Sequence, residues 1–268
     1  MQARRLQRIG FNVVTVAIYA FLLAPLVIVV LSALNAGTYL RFPPQGLSVR
    51  WFVDFAHSRS FMGSLGFSLR LAAIVTVVAT ILGTMASLWL TRVSGRFRSA
   101  LQVLIIAPLA VPGVLTGIAL LLFFYTLGWQ QTGLADLIIG HTLICVPYVV
   151  LIVGAVLARQ DKTLVEAARN LGAGPLRTFW RVTLPLSKGG IICGAVFAFV
   201  TSYDDFNISL LLSGVGATPL PIQLFDYLRF SFDPTPAVAG TISIAITALV
   251  VLLVQRLIGL DALYFGKK

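Results

Sequence analysis

The sequence predicts an all-α membrane protein with six transmembrane helices, and three observations lead there: composition, six apolar stretches, and the placement of basic residues. Of the 268 residues, 58% are hydrophobic and 11% charged, with a mean hydropathy of +0.95. Such a chain cannot hide its apolar surface in one soluble core. Six stretches, 11–34, 64–90, 101–127, 137–158, 190–213 and 237–257, are long enough to cross about 30 Å of hydrocarbon. Six crossings place both termini on one side. Fifteen Lys and Arg lie before span one, between spans two and three, in the loop 159–189 and after span six, whereas the opposite loops carry Arg41, Arg50, Arg59 and Arg229. The positive-inside rule therefore puts both termini and the loop 159–189 in the cytoplasm. The net charge of +11, spread over four segments, reads as topology and attraction to anionic headgroups rather than nucleic-acid binding.

Span one, 11–34, carries no charge and has about 24 apolar residues where a cleavable signal core has about 7 to 15, so it reads as a retained, peripheral helix facing lipid. The functional core is then 64–257. In the following outside loop Pro43, Pro44 and Gly46 break structure before a short helix beginning near Ser48, with Trp51, Phe52 and Phe55 on one face suited to the headgroup boundary. Span two holds Arg70 about 10 Å from its outer end. Span three places Pro108 and Pro112 about 10 and 17 Å deep, and Pro147 in span four reaches a similar depth. Proline removes a backbone donor and clashes with the preceding turn, so these positions predict kinks or breaks that form part of a gate; a packing kink is the alternative at each.

Span five carries Asp204 and Asp205 about 20 Å in. Carboxylates at that depth mark a functional site. One is expected to pair with Arg70 or cap a helix end while the other faces the pathway, and the sequence leaves open which. The outside segment after span five has four prolines with Asp226, Arg229 and Asp233, and fits either a seat for a partner domain or a membrane-surface helix over 222–230. Cys145, Cys193, His57 and His141 stand isolated, without disulfide or metal spacing, and read as structural. No Ser/His/Asp set points to an enzyme.

The run EAARNLGAGPLRTFWRVTLP is polar and basic between apolar spans, which suits a docking surface; an ordinary amphipathic interfacial helix is the alternative. Glu166, Ala167 and Ala168, then Gly172 six residues after the Glu, then Val182 two before Leu184 and Pro185, resemble the cytoplasmic coupling loop of ABC importer permeases. That family usually has a further proline before Gly-Ile, where this chain has Gly189. TSYDDFNISLLL and LPIQLFDYLRFSFDPTPAVAGT extend the resemblance to the second permease subunit of spermidine and putrescine importers, over nearly the whole chain.

The resemblance implies a type I importer in the bacterial inner membrane: two homologous permeases, two ATPase subunits carrying ATP and Mg, and an external solute-binding protein that delivers a small cationic substrate such as a polyamine. It implies one transmembrane permease domain over 1–268, with Glu166, Ala167, Ala168, Gly172, Leu184 and Pro185 coupling to the ATPase, and it matches Asp204 and Asp205 to the family's acidic pair; Tyr203 and Arg70 are read as pathway residues beside them. No G-x-x-x-x-G-K-[ST] occurs in the chain, so the phosphate cradle for ATP is expected on another polypeptide. Opines or amino acid derivatives are alternative cargoes, and a proton-coupled secondary carrier or a cargo-free scaffold are alternative classes. A secondary carrier would more often show internal repeats, and gives the loop 159–189 no purpose.

Overall fold

A computed structural model describes residues 2–129, 133–214 and 216–258, almost all of them helical, with no strand among the described residues. The described residues form twelve α-helices in order: α1 Gln2–Ala33, α2 Arg50–His57, α3 Arg59–Leu90, α4 Gly95–Ala110, α5 Gly113–Thr126, α6 Leu134–Ala158, α7 Lys162–Asn170, α8 Pro175–Thr178, α9 Leu184–Asp204, α10 Asn207–Leu212, α11 Leu220–Leu228 and α12 Thr235–Ile258. A π-helical turn, Phe179–Thr183, joins α8 to α9.

Among the described residues, five helices are long and apolar enough to cross a membrane, and the expected third span is different in kind. It is two helices, α4 and α5, bent by 102°. At 16 and 14 residues they run about 24 and 21 Å, so neither alone covers the hydrocarbon. Pro112 causes the break. The residue before a proline is pushed out of the helical region, and Val111 is extended at φ −90°, ψ 132°. Pro108 lies inside α4 and Pro147 inside α6, both in continuous helix, so of the three expected kinks only Pro112 sits at a break. A single proline removes one bond from a ladder, which a buried helix such as α6 tolerates when its neighbours hold it.

One compact unit comprises residues up to Met62 with Leu224–Ala248. Most of α1 is exposed along 10–27, as a lipid-facing helix requires, and its end is held by Asn35. That side chain donates to the Tyr39 carbonyl (3.0 Å) and accepts from the Gly37 and Gln45 amides (3.1 and 2.9 Å). The aromatic face of α2, expected to suit the headgroup boundary, packs largely against the protein itself. Trp51 and Phe55 are buried, Trp51 Nε1 donates to the Gly37 carbonyl (3.2 Å), and Phe55 stacks on Phe61 at 5.2 Å. Once the indole N–H has a protein partner, the ring has no need of the wet interface.

The other unit comprises Gly63–Gln223 with the residues from Leu249. Its core is the buried stripe of α6, Leu137, Cys145, Val149 and Val153, packed with Leu71, Val75 and Ala79 of α3, Ala198 of α9, and Ile208 and Leu212 of α10. Glycines let these helices approach closely, the packing mode open to helices in lipid. A Cβ on Gly83 would lie 2.6 Å from Val149 Cβ, and one on Gly190 2.7 Å from Val156 Cγ2. Gly83→Leu is therefore expected to destabilise by about 1–3 kcal/mol through overpacking. Thermal unfolding of the detergent-purified protein checks this, and an unchanged midpoint would show that α3 and α6 can separate freely.

Candidate functional site

Two helix breaks meet within the second unit. α9 ends at Asp204 because Asp205 is extended at φ −68°, ψ 119°. Asp205 Oδ2 then accepts from the amides of Ile208 (2.9 Å) and Ser209 (3.2 Å), satisfying the first free N–H groups of α10. Asp205 is thus the cap of the broken helix. Asp204, one residue earlier, is exposed and makes no ion pair among the described residues. Beside this break lies the one at Pro112: a Cβ on Gly113 would come within 3.0 Å of the Asn207 side chain, and one on Gly117 within 2.7 Å of Leu211 Cδ1. Glycine at both positions lets α5 and α10 touch.

Beneath the acidic break lies a residue that the sequence reading set aside. His141 of α6 is 0% exposed, with Nδ1 2.9 Å from Ser202 Oγ and Nε2 3.1 Å from Ser209 Oγ. Its Nε2 also stands 3.8 Å from Asp205 Oδ2. The only signal in the sequence was a polar ring inside an apolar span. Its partners lie 61 and 68 residues away, beyond the reach of any local pattern.

The two other residues read as lining the pathway, Arg70 and Tyr203, have different surroundings. Arg70 forms no ion pair with Asp204 or Asp205 and is exposed. The inward stripe of α3 is Ser68, Leu71, Ala72, Val75 and Ala79, and at 100° per residue Arg70 falls on the opposite face. Tyr203 is 3% exposed and stacks on Phe199 at 6.0 Å, so it packs within the bundle.

The loop from α6 to α9 is a second surface. Asp161 caps α7 by accepting from the Thr163 amide (2.9 Å), a bond that also holds its carboxyl below the usual carboxylate range. α7 closes in a Schellman motif: the Gly172 amide donates to the Arg169 carbonyl (2.9 Å) and the Ala173 amide to the Ala168 carbonyl (3.0 Å). Gly172 takes φ +81°, the left-handed conformation glycine adopts most cheaply. Glu166 and Ala167 are exposed and Ala168 half-buried; Glu166 forms no ion pair with Arg169. Leu171 is 88%, Leu176 71% and Trp180 60% exposed, interleaved with exposed Arg169, Arg177 and Arg181. Apolar groups presented this way on a polar loop mark a contact surface.

Leu184 is half-buried and Pro185 exposed, immediately after the π-turn. Proline clashes with the carbonyl four residues back, and the wider π-turn makes room for it. The start of the loop is tied to α9, because Gln160 Nε2 donates to Ser187 Oγ (2.8 Å), while Ser187 Oγ donates to the Thr183 carbonyl (2.7 Å).

The same architecture occurs in a bacterial alginate ABC transporter solved in complex with its alginate pentasaccharide-bound periplasmic protein, at a TM-score of 0.74 and 15% identity, covering 96% of this chain and 95% of that one. The fold is thus that of an ABC importer permease. The family model described as binding-protein-dependent transport system inner membrane component matches residues 79–261, and the chain belongs to that family. The putrescine transport system permease protein PotI of Escherichia coli is 36% identical over 223 residues, 81% of this chain and 79% of that protein. The spermidine/putrescine transport system permease protein PotC of Escherichia coli is 28% identical over 257 residues, 96% and 95% of the two chains. The chain is therefore a non-enzymatic, membrane-spanning permease component of an importer.

Proposed function

We propose that this permease forms half of a pathway for a polyamine such as putrescine or spermidine, in the bacterial inner membrane and with both termini and the loop 159–189 cytoplasmic. The observation that carries the cargo reading is its identity to two polyamine permeases over most of its length. The exposed Asp204 at a helix break supports it, since a carboxylate offsets the loss of hydration of a cation leaving water. Cargo arrives from a solute-binding protein; a homologous permease completes the pathway, and two ATPase subunits hold ATP and Mg.

The helix geometry supplies the coupling. The run Pro175–Asp204 is continuous over 30 residues, about 45 Å, from the exposed loop to the acidic break. A push on the loop, whose return is pinned through Ser187 to Gln160, travels along α9 as a rigid element and arrives where α9 and α10 part. The break at Pro112 gives α5 a flexible joint at the same place.

Proteoliposomes holding the complete importer and its cognate binding protein test the cargo. Uptake of labelled putrescine, competed by unlabelled spermidine and not by a zwitterionic amino acid or an opine, is the expected outcome. A binding protein that takes up no polyamine in a ligand screen would overturn the cargo and leave the permease class standing.

A further inference from the structure

We propose that His141 is a positioning residue for transport, a pin that holds the two halves of the broken helix in register and so sets where Asp204 stands. The inference rests on the permease function and not on the nature of the cargo. A helix broken inside a membrane leaves carbonyls of one half and amides of the other without their helical partners, and each must be satisfied within the protein. Asp205 satisfies amides on the α10 side. It does nothing to fix the direction of α9 relative to α10, because the extended residue between them can rotate.

The imidazole of His141 does so. It is fully buried, and its two nitrogens reach one hydroxyl from each half: Ser202, two residues before the end of α9, and Ser209, in the first turns of α10. A neutral imidazole has one donor and one acceptor nitrogen on opposite edges of a rigid ring. One ring from α6 therefore bridges both halves with fixed spacing, and Nε2 faces the capping carboxylate at 3.8 Å. The neighbouring Cys145, one turn along α6, reaches the Ala198 carbonyl at 3.4 Å, so α6 follows α9 up to the break. Asp204 ends α9 and is carried by whatever fixes that helix. Movement of the break during transport must exchange these two serine bonds together, which makes the pin a device with two arrangements rather than a passive filler.

The test uses the assembled importer with its binding protein, comparing cargo transported per ATP hydrolysed in the wild type and in His141→Ala, Ser202→Ala, Ser209→Ala and the His141→Ala/Ser202→Ala pair. Loss of one such hydrogen bond corresponds to about a tenfold change in an equilibrium between two arrangements. Each serine variant is therefore expected to lower the transport-to-hydrolysis ratio by about five- to tenfold, and His141→Ala, which loses both bonds, by at least as much. The double variant is expected to fall no further than His141→Ala, because the two residues act through one bond. His141→Gln, whose amide also offers a donor and an acceptor, is expected to recover part of the ratio. If His141→Ala fails to assemble, the two serine variants decide. In the two serine variants, an unchanged ratio, or loss of assembly and hydrolysis in step with transport, would overturn the pin.

Discussion

Gly172→Asn is expected to leave the importer assembled and to lower binding-protein-stimulated ATP hydrolysis at least about tenfold, with uptake lost in parallel. The argument separates two roles of the same residue. Gly172 closes α7 at φ +81°, and an ordinary side chain there costs about 1–2 kcal/mol in backbone strain. Asparagine is the second residue that accepts this left-handed position, so it preserves the Schellman motif. A Cβ on Gly172 meets nothing within 4 Å in this chain, so the substitution meets no steric barrier from within. Any large loss must come from outside, from an ATPase surface seated against the loop beside Leu171 and Leu176. Gly172→Asp is expected to fail at least as badly by adding a charge. Wild-type stimulation in Gly172→Asn would show that the glycine only ends a helix. Glu166, exposed and without an ion pair to Arg169, belongs to the same surface.

The acidic pair is expected to divide sharply. Asp204→Asn removes a charge from an exposed position without changing side-chain volume, and a facing cation loses on the order of 1–4 kcal/mol of attraction between water and a protein surface. Uptake of a polyamine should fall tenfold or more while the complex purifies intact. Asp205→Asn should be mild, because an amide oxygen caps a helix almost as well as a carboxylate. Asp205→Leu should instead lose assembly, since the amides of Ile208 and Ser209 would be left unpaired beside buried His141. Uptake kinetics beside gel filtration of the purified complex separate the two effects. Full uptake by Asp204→Asn would remove the carboxylate from the pathway and with it the geometric support for a cationic cargo.

Much of this protein was legible in its sequence because lipid leaves few choices. Long apolar runs must be helices, as α1, α3, α6 and α12 are. The pattern from Glu166 to Pro185 also pointed to the family whose model matches residues 79–261. Three things were decided only by the tertiary structure. Pro112 broke its helix while Pro147 did not, although each removes one donor, because the outcome depends on the packing around the bend. Arg70 turned away from the acidic pair because the buried face of α3 is chosen by the helices it meets, not by the depth of its charge. Asp205 became the cap and Asp204 the exposed carboxylate because adjacent helical positions point about 100° apart, and only the placement of α6, with His141 between Ser202 and Ser209, determines which of them turns inward.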